Sequence, residues 1–288
     1  MKSYSDIVGD GGSKIVEQVT EHRARITKNL SSVRTLLAIG SGKGGVGKST
    51  LTMQLAFSFK QQGLKVSVLD ADINGPCIAR LAGIKNTLMV PGKNGLSVPK
   101  TKNGIGVISF GTLFAEPDPV NFESISQGES YVWRATKEFS VFGELLGGCD
   151  WGPLDILLID LPPGVERTVQ FAEYLGERVK LVLVTIPSDV SLGIVARTVS
   201  ALKKTQTEPL GLIENMSGYV CPDCNEVKPL FPSTKGFDPG IQSLGQVPFD
   251  PKLGELCNQG LPLTDYPDSQ AAKAIDNISK KILSMLGN

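Results

Sequence analysis

The chain alternates between two patterns of hydrophobic and polar positions, one typical of buried strands and one typical of helices. Apolar runs of the strand type cover residues 35–39, 65–69, 105–110, 154–160, 180–186 and 209–214. Apolar residues at helical spacing cover residues 14–29, 49–62, 131–146, 191–204 and 270–286. Because strands separated by helices pair in one direction, the alternation from Thr35 to Glu214 predicts an α/β fold, with a mostly parallel twisted sheet and helices on both faces.

The segments outside this alternation indicate the domain organisation. We expect residues 1–34 to form an N-terminal helical extension and residues 35–288 to form the main domain. Residues 85–104 are rich in Gly, Pro, Lys and Asn and predict an excursion that contains a hairpin. Residues 114–129 are acidic and interrupted by proline, which predicts a loop. The apolar stripe of the helix over 270–286 predicts packing on the sheet, the alternative being a helix that lies on a membrane surface.

A glycine-rich loop joins the first predicted strand to the next helix, in the stretch LLAIGSGKGGVGKSTL. Gly42, Gly47, Lys48 and Ser49 fit the pattern G-x-x-x-x-G-K-[ST], in which backbone N–H groups and a helix N-terminus cradle phosphates. In this arrangement Lys48 reaches the β- and γ-phosphates of ATP, and the Ser49 hydroxyl ligates Mg²⁺. The predicted nucleotide-binding residues of the loop, for ATP or ADP, are Gly42, Lys43, Gly44, Gly45, Val46, Gly47, Lys48, Ser49 and Thr50.

Aspartates stand at the carboxyl ends of two further predicted strands, which is the edge of an open α/β sheet where ligands bind. We expect Asp70 and Asp160 to help hold Mg²⁺ and its waters, and Asp72 to orient or activate the attacking water. Residues 162–164, Pro-Pro-Gly, predict a switch loop that senses the γ-phosphate. The alternative for Asp70 and Asp72 is strand-end solvation next to a turn at residues 74–76.

A pair of cysteines, Cys221 and Cys224, forms a second candidate site. Two thiolates at this spacing can hold one edge of a metal centre, and zinc or an iron–sulfur cluster usually takes four ligands. The chain offers no second pair at a diagnostic spacing. A symmetric homodimer therefore supplies the simplest completion. A 4Fe–4S cluster, a structural zinc and a redox dithiol all remain open on the spacing alone.

Composition limits the partners. Lys and Arg number 29 and balance Asp and Glu at 29, so there is no global basic field for non-specific nucleic-acid binding. No apolar run reaches the roughly 18 residues that a membrane span needs, and we expect no stable membrane association. The N-terminal sequence lacks the features of a signal or transit peptide, which predicts a cytoplasmic protein. The odd number of cysteines, 5, argues against a disulfide framework.

The motifs KGGVGKST, DADINGP, IDLPPG, ENMSGYVCPDC and GQVPFDP follow one another in this order. Together they resemble the Mrp/ApbC family of iron–sulfur cluster carriers, over roughly residues 36–286. This family lies within the deviant phosphate-loop ATPases, beside MinD, ParA and the nitrogenase iron protein, whose loop carries an additional lysine in the pattern K-G-G-x-x-K-[ST]. Lys43 stands at that position.

The resemblance implies a homodimeric, ATP-hydrolysing P-loop protein. In such a protein Lys43 reaches across the dimer interface to the partner's nucleotide, Asp72 is the catalytic aspartate, and Asn215 contacts the adenine ring. Cys221 and Cys224 of each subunit hold a labile 4Fe–4S cluster. The implied partners are cluster-assembly scaffold proteins and the apo iron–sulfur proteins that receive the cluster.

The sequence also departs from the family pattern. The family usually continues Pro-Pro-Gly with Thr-Gly-Asp, whereas this chain has Val165-Glu166-Arg167, and whether Glu166 replaces the missing aspartate stays open. Cys77 stands where the family often has serine. We predict buried structural thiols at Cys77, Cys149 and Cys257.

Two other functions share the same phosphate loop. One is a MinD/ParA-like positioning or partitioning ATPase, which needs a membrane helix or a basic patch but has no use for the cysteine pair. The other is a regulatory ATPase in which Cys221 and Cys224 hold a structural zinc.

Overall fold

The computed structural model describes residues 15–84, 87–109, 112, 131–221, 223–224, 226–231 and 238–287. The strands in these ranges are β1 Val33–Gly40, β2 Val66–Asp70, β3 Pro91–Gly92, β4 Gly95–Ser97, β5 Gly106–Ile108, β6 Cys149–Asp150, β7 Leu154–Asp160, β8 Val179–Thr185, β9 Gly211–Val220, β10 Val227–Pro229 and β11 Ser243–Phe249. The α-helices are α1 Ile15–Asn29, α2 Lys48–Gln61, α3 Ile78–Leu81, α4 Tyr131–Gly148, α5 Val165–Leu175, α6 Asp189–Lys204, α7 Pro251–Gln259 and α8 Gln270–Leu286.

The main sheet is parallel along most of its width. Its strands lie in the order β10-β9-β8-β1-β7-β2-β5, and β11 pairs with β9. Among the described strands of this sheet, β10 alone pairs in the antiparallel sense. The register sets Asp160 of β7 opposite Ile39 of β1 on one side and Asp70 of β2 on the other. The carboxyl ends of β1, β7 and β2 therefore meet at one edge of the sheet, where the glycine-rich loop begins.

Helices cover both faces of the sheet, because successive residues of a strand point to opposite sides. Leu37 and Ile39 of β1 belong to a buried cluster with the apolar residues of α2 and α8. Leu36 and Ala38 belong to a second cluster, with residues of α4, α5 and α6. β1 is thus buried on both faces, which explains why its sequence reads as a continuous apolar run rather than an alternating one. The predicted α/β architecture is confirmed.

The terminal helix α8 packs on the sheet, as predicted. Its apolar stripe belongs to the same buried cluster as Leu37, Ile39 and α2, and the isoleucines at 275, 278 and 282 are at most 2% exposed. Ser58 of α2 and Ser279 of α8 meet through a buried hydrogen bond of 2.8 Å. Among the described helices, none is long and apolar enough to cross a membrane.

The N-terminal helix α1 lies against α4. Arg25 forms an ion pair with Glu144, and the Asn29 side chain donates to the carbonyl oxygens of Leu146 and Cys149. A division of the chain after residue 34 stays a prediction.

The local predictions between the main elements have mixed outcomes. The excursion over residues 85–104 contains the predicted hairpin, because β3 pairs with β4 in the antiparallel sense. Residues 85 and 86 of this excursion lie outside the described residues. The loop predicted over residues 114–129 lies outside the described residues. The strand predicted over 209–214 was too short, because β9 continues to Val220. Its last residues pair with β10, which satisfies backbone groups that a loop would leave to water.

Candidate functional site

The glycine-rich loop after β1 depends on left-handed backbone at Gly45 (φ 77°) and Gly47 (φ 79°). The buried Asn215 of β9 donates from Nδ2 to the Val46 carbonyl oxygen at 2.9 Å. A Cβ atom on Gly47 would lie 2.2 Å from that same nitrogen. A side chain at position 47 would strain this left-handed backbone and would displace the Asn215 amide from its hydrogen bond, so glycine is favoured there. The loop is therefore held against β9, and α2 begins directly after it.

Lys48 and Asp160 form the buried centre of the site. Lys48 Nζ lies 2.7 Å from Asp160 Oδ1, and the two side chains are 6% and 0% exposed. The Ser49 hydroxyl donates to Asp160 Oδ2 at 2.5 Å, and the Thr52 hydroxyl donates to Oδ1 at 2.8 Å. A buried charge needs a partner of opposite sign and hydrogen bonds to offset its lost hydration. Asp160 thus holds the Lys48 ammonium and the Ser49 hydroxyl in place. An ammonium suits phosphate, and carboxylate and hydroxyl oxygens suit a hard cation.

Asp70 lies beside this centre, at the end of β2. Its Oδ2 accepts hydrogen bonds from the backbone N–H groups of Cys77 and Ile78 at 3.1 Å and from the Ser109 hydroxyl at 2.9 Å. Burial, and then the negative charge of Asp160, raise the pKa of Asp70 to about 7. Two buried carboxylates face one ammonium here. This excess of negative charge favours uptake of a proton or a divalent cation.

Asp72 lies two residues after Asp70 and is half-buried. The Asp72 backbone N–H donates to Asp70 Oδ1 at 3.1 Å, and the Gly75 N–H donates to Asp72 Oδ1 at 3.1 Å. This short turn fixes the Asp72 carboxylate near the site without burying it. Lys43 is also half-buried, at the rim of the loop, where its carbonyl oxygen accepts from the Ser41 hydroxyl at 3.0 Å.

The predicted switch loop, residues 162–164, lies against the glycine-rich loop. The Gly164 N–H donates to the Ser41 carbonyl oxygen at 2.8 Å, and the Pro163 ring would lie 3.9 Å from a Cβ atom on Gly44. Glu166 faces solvent on α5, where its Oε1 accepts from Gln170 Nε2 at 3.3 Å. A displacement of the switch loop would therefore break or shift contacts with the backbone that is expected to hold phosphates.

The cysteine pair lies at the turn between β9 and β10. The Cys221 N–H donates to the Glu226 carbonyl oxygen at 2.9 Å, which closes the turn. The backbone N–H groups of Cys224 and Asp223 donate to the Cys221 sulfur and lower the pKa of its thiol. Cys224 is exposed. A sulfur that accepts backbone hydrogen bonds favours its thiolate form, which is the metal-binding form of cysteine.

Within the described part of the chain, no group of three or more His, Cys, Asp or Glu side chains is placed to hold a metal ion. The β9–β10 hairpin, which carries Cys221 and Cys224 at its turn, therefore presents two cysteine sulfurs from one chain. A metal centre with four thiolate ligands would need two more from elsewhere.

The prediction for Cys77 was wrong. Cys149 and Cys257 are buried as predicted, but Cys77 is half-buried and lies within hydrogen-bonding reach of the Ser49 hydroxyl. Burial raises the pKa of its thiol, so it stays protonated near neutral pH. The error arose because Cys77 meets Ser49, which is distant in sequence, and the local sequence gives no signal for this contact.

Two residues of the site were missed from the sequence, Thr52 and Ser109. Thr52 lies one helical turn after Lys48, and this spacing could have placed it beside the lysine. Ser109 follows directly after β5, and the neighbouring position of β5 and β2 in the sheet was the missing information.

The parallel sheet, the strand–loop–helix with a buried lysine, and the aspartates at the ends of two neighbouring strands define a P-loop NTPase. A family model described as ParA, NUBPL iron-transfer P-loop NTPase, matches residues 32–283. The chain belongs to this family.

Relatives with assigned names share much of the sequence. An iron–sulfur cluster carrier protein of Methanocaldococcus jannaschii is 35% identical over 271 residues, which are 92% of this chain and 89% of that protein. The cytosolic Fe-S cluster assembly factor NUBP2 of Bos taurus is 36% identical over 267 residues, which are 89% of this chain and 94% of that protein.

Solved structures share the fold. A nucleotide-binding protein of Archaeoglobus fulgidus, determined in complex with ADP, is 32% identical, with a TM-score of 0.66 over 82% of this chain and 90% of that one. The cell division ATPase MinD of Pyrococcus furiosus is 22% identical, with a TM-score of 0.63 over 88% of this chain and 99% of that one. The second likeness concerns the fold alone.

Proposed function

We propose that the protein is an ATP-hydrolysing carrier that binds a 4Fe–4S cluster between two copies of the chain and transfers it to apo-proteins. The observation that supports this most directly is strand β9. Its residue Asn215 holds the glycine-rich loop, and Cys221 follows the strand's last residue. At about 3.3 Å per residue, the two lie within about 20 Å of each other along one strand. The same element thus joins the nucleotide site to the cysteine pair.

The conformation of β9 supports a link between the sites. Met216, directly after Asn215, has a left-handed backbone (φ 55°), which is uncommon for a residue with a side chain. The register with β11 shifts between Val247 and Phe249, opposite this stretch. Irregular backbone of this kind is found at switch regions, and it lies here between the loop contact and the cysteines.

Nucleotide binding is the first part of the proposed cycle. The loop N–H groups and Lys48 would hold the phosphates, and Asn215 would contact the adenine ring. The oxygen donors Ser49, Asp70 and Asp160 suit Mg²⁺, a hard cation. When bound there, Mg²⁺ would neutralise phosphate charge. Lys48 would then exchange Asp160 for phosphate oxygens, so that the buried ammonium never lacks a partner.

Hydrolysis is the second part of the cycle. Asp72, fixed by its turn yet half-buried, would orient the attacking water. Lys43, at the rim of the loop, would reach the nucleotide of the partner subunit. Closure of the dimer around two nucleotides would bring both hairpins together, and hydrolysis would relax residues 162–164 and change the geometry at the cysteines.

The cluster is the cargo of this cycle. Each hairpin offers Cys221 and Cys224, and a 4Fe–4S cluster takes four thiolates, so a homodimer completes the set. The lowered pKa of Cys221 and the exposure of Cys224 suit a cluster that is bound and released. The cluster would arrive from assembly scaffold proteins and leave to apo iron–sulfur proteins.

Anaerobic reconstitution with iron and sulfide tests the carrier function. The wild type is compared with a Cys221→Ala/Cys224→Ala variant, and with Cys257→Ala as a matched control that removes a buried cysteine elsewhere. We expect broad absorbance near about 400 nm, about four irons per dimer, and a dimer by light scattering. The double variant should lose all three, and the control should keep them. Bound zinc, or a colourless monomer, would contradict the carrier function.

A further inference from the structure

Glu138 of α4 is bonded to both segments that flank the nucleotide site. Its Oε1 accepts a hydrogen bond from Asn74 Nδ2 at 2.9 Å, and its Oε2 forms an ion pair with Arg167. Asn74 lies two residues after Asp72. Arg167 lies three residues after Gly164, in the first turn of α5. One carboxylate thus joins the Asp72 turn to the segment that follows β7.

The ion pair is largely shielded from water. The side chains of Glu138 and Arg167 are 13% and 14% exposed. Shielded pairs with direct hydrogen bonds hold their geometry more firmly than exposed surface pairs, which contribute little. Arg167 also stands at a helix N-terminus, where the helix dipole disfavours a positive charge. Glu138 offsets this unfavourable placement, while Arg167 Nη1 also donates to Gln170 Oε1 at 3.4 Å.

The helix that carries Glu138 is itself firmly packed on α5. Phe139, the next residue, lies 4.6 Å from Phe171 between ring centroids, and Phe142 lies 4.9 Å from the same ring. α4 is thus held against α5 beside Glu138. Because Asn74 donates to the same carboxylate, a movement of α5 that displaced Glu138 would also disturb the Asp72 turn.

We propose that Glu138 is a positioning residue that couples the Asp72 turn to the switch loop at residues 162–164, so that both take their hydrolytic arrangement together. This coupling rests on the proposed ATP hydrolysis. It also gives Arg167, where the chain departs from the usual Thr-Gly-Asp continuation, a specific role: it provides the contact that α5 makes to Glu138.

The test compares Glu138→Gln with Glu144→Gln in steady-state ATP hydrolysis. Glu144 is a matched control, because it lies on the same helix and pairs with Arg25, away from the nucleotide. We expect Glu138→Gln to lower kcat about tenfold, as misplaced catalytic groups do, with little change in KM or in ADP affinity. Glu144→Gln should keep the wild-type kcat. Unchanged ADP affinity also verifies that the variant is folded.

A double-mutant cycle separates coupling from two independent effects. If Glu138 joins the two segments, the double variant Asn74→Ala/Arg167→Gln should have a kcat no lower than that of the slower single variant. The exchanged pair Glu138→Arg/Arg167→Glu should recover part of kcat. Multiplicative losses in the cycle, or a Glu138→Gln variant that behaves like Glu144→Gln, would overturn the coupling. A wild type that does not hydrolyse ATP would instead refute the proposed function, and the coupling with it.

Discussion

At the scale of single residues, the sequence pattern predicts the glycine-rich loop but not the contacts that hold it. The spacing of Gly42, Gly47, Lys48 and Ser49 is sufficient to predict a phosphate loop. It does not predict that Asn215, distant in sequence, fills the space above Gly47, nor that Cys77 turns back towards Ser49. Such contacts depend on which strands become neighbours, and local sequence contains no signal for that.

Gly47→Ala tests the loop geometry. The new Cβ would meet Asn215 Nδ2 at 2.2 Å and would strain the left-handed backbone, so we expect ADP binding to fall by at least about tenfold. Gly254→Ala is the control, since its Cβ meets nothing within 4 Å and helical alanine is favourable. Calorimetric titration with ADP measures both variants. Wild-type affinity in Gly47→Ala would contradict the assigned loop contact.

The raised pKa of Asp70 predicts a pH dependence of stability in the metal-free protein. The folded pKa of about 7 lies above the unfolded value of about 3.9, so the proton bound to Asp70 stabilises the fold at low pH. This contribution is complete below about pH 4 and is lost as pH rises to about 7, at up to about 1.4 kcal/mol per unit.

Urea denaturation of wild type and Asp70→Asn, with a chelator present, measures this effect. The variant should gain stability relative to wild type between pH 5 and pH 7.5, about the window set by the raised pKa, because it has no proton to lose. Parallel pH profiles for the two proteins would show that Asp70 is not the group responsible.

At the scale of elements, periodicity predicted α1, α2, α4, α6 and α8 and the parallel strands β1, β2, β5, β7 and β8, but it missed α3, α5, α7 and β11. A further error lies where a partner strand decides how long a strand becomes. β9 was predicted to end at Glu214 and continues to Val220, because β10 pairs with its last residues. The packing of α8 was predictable from its stripe. The sharing of Glu138 between two segments was not, since it needs the positions of three elements at once.

Ile282→Ala tests the packing of α8. Ile282 is fully buried between the helix and the sheet, and its truncation should lower the free energy of unfolding by about 2–5 kcal/mol. Lys273→Ala, at an exposed position on the same helix, should have almost no effect. Chemical denaturation provides the comparison. Equal stability of Ile282→Ala and wild type would mean that α8 is not held on the sheet in solution.

At the scale of the whole molecule, the proposed carrier is a dimer whose nucleotide and cluster sites are joined through β9. From the sequence, the cysteine spacing allowed a metal centre beside other interpretations, and the matching family model is described as an iron-transfer P-loop NTPase. The path between the two sites could not be predicted, because Asn215 and Cys221 acquire their shared strand only when β10 and β11 flank β9.

The most direct test of this account is the rate of cluster transfer from the reconstituted protein to a small apo-ferredoxin, with and without ATP and Mg²⁺. Wild type, Lys48→Ala and Lys60→Ala are loaded to the same iron content, the last being a control at the other end of α2. We predict that ATP changes the transfer rate of wild type and Lys60→Ala but not of Lys48→Ala. If Lys48→Ala transferred its cluster with the same ATP response as wild type, nucleotide and cluster would not be coupled, and the central claim would be wrong.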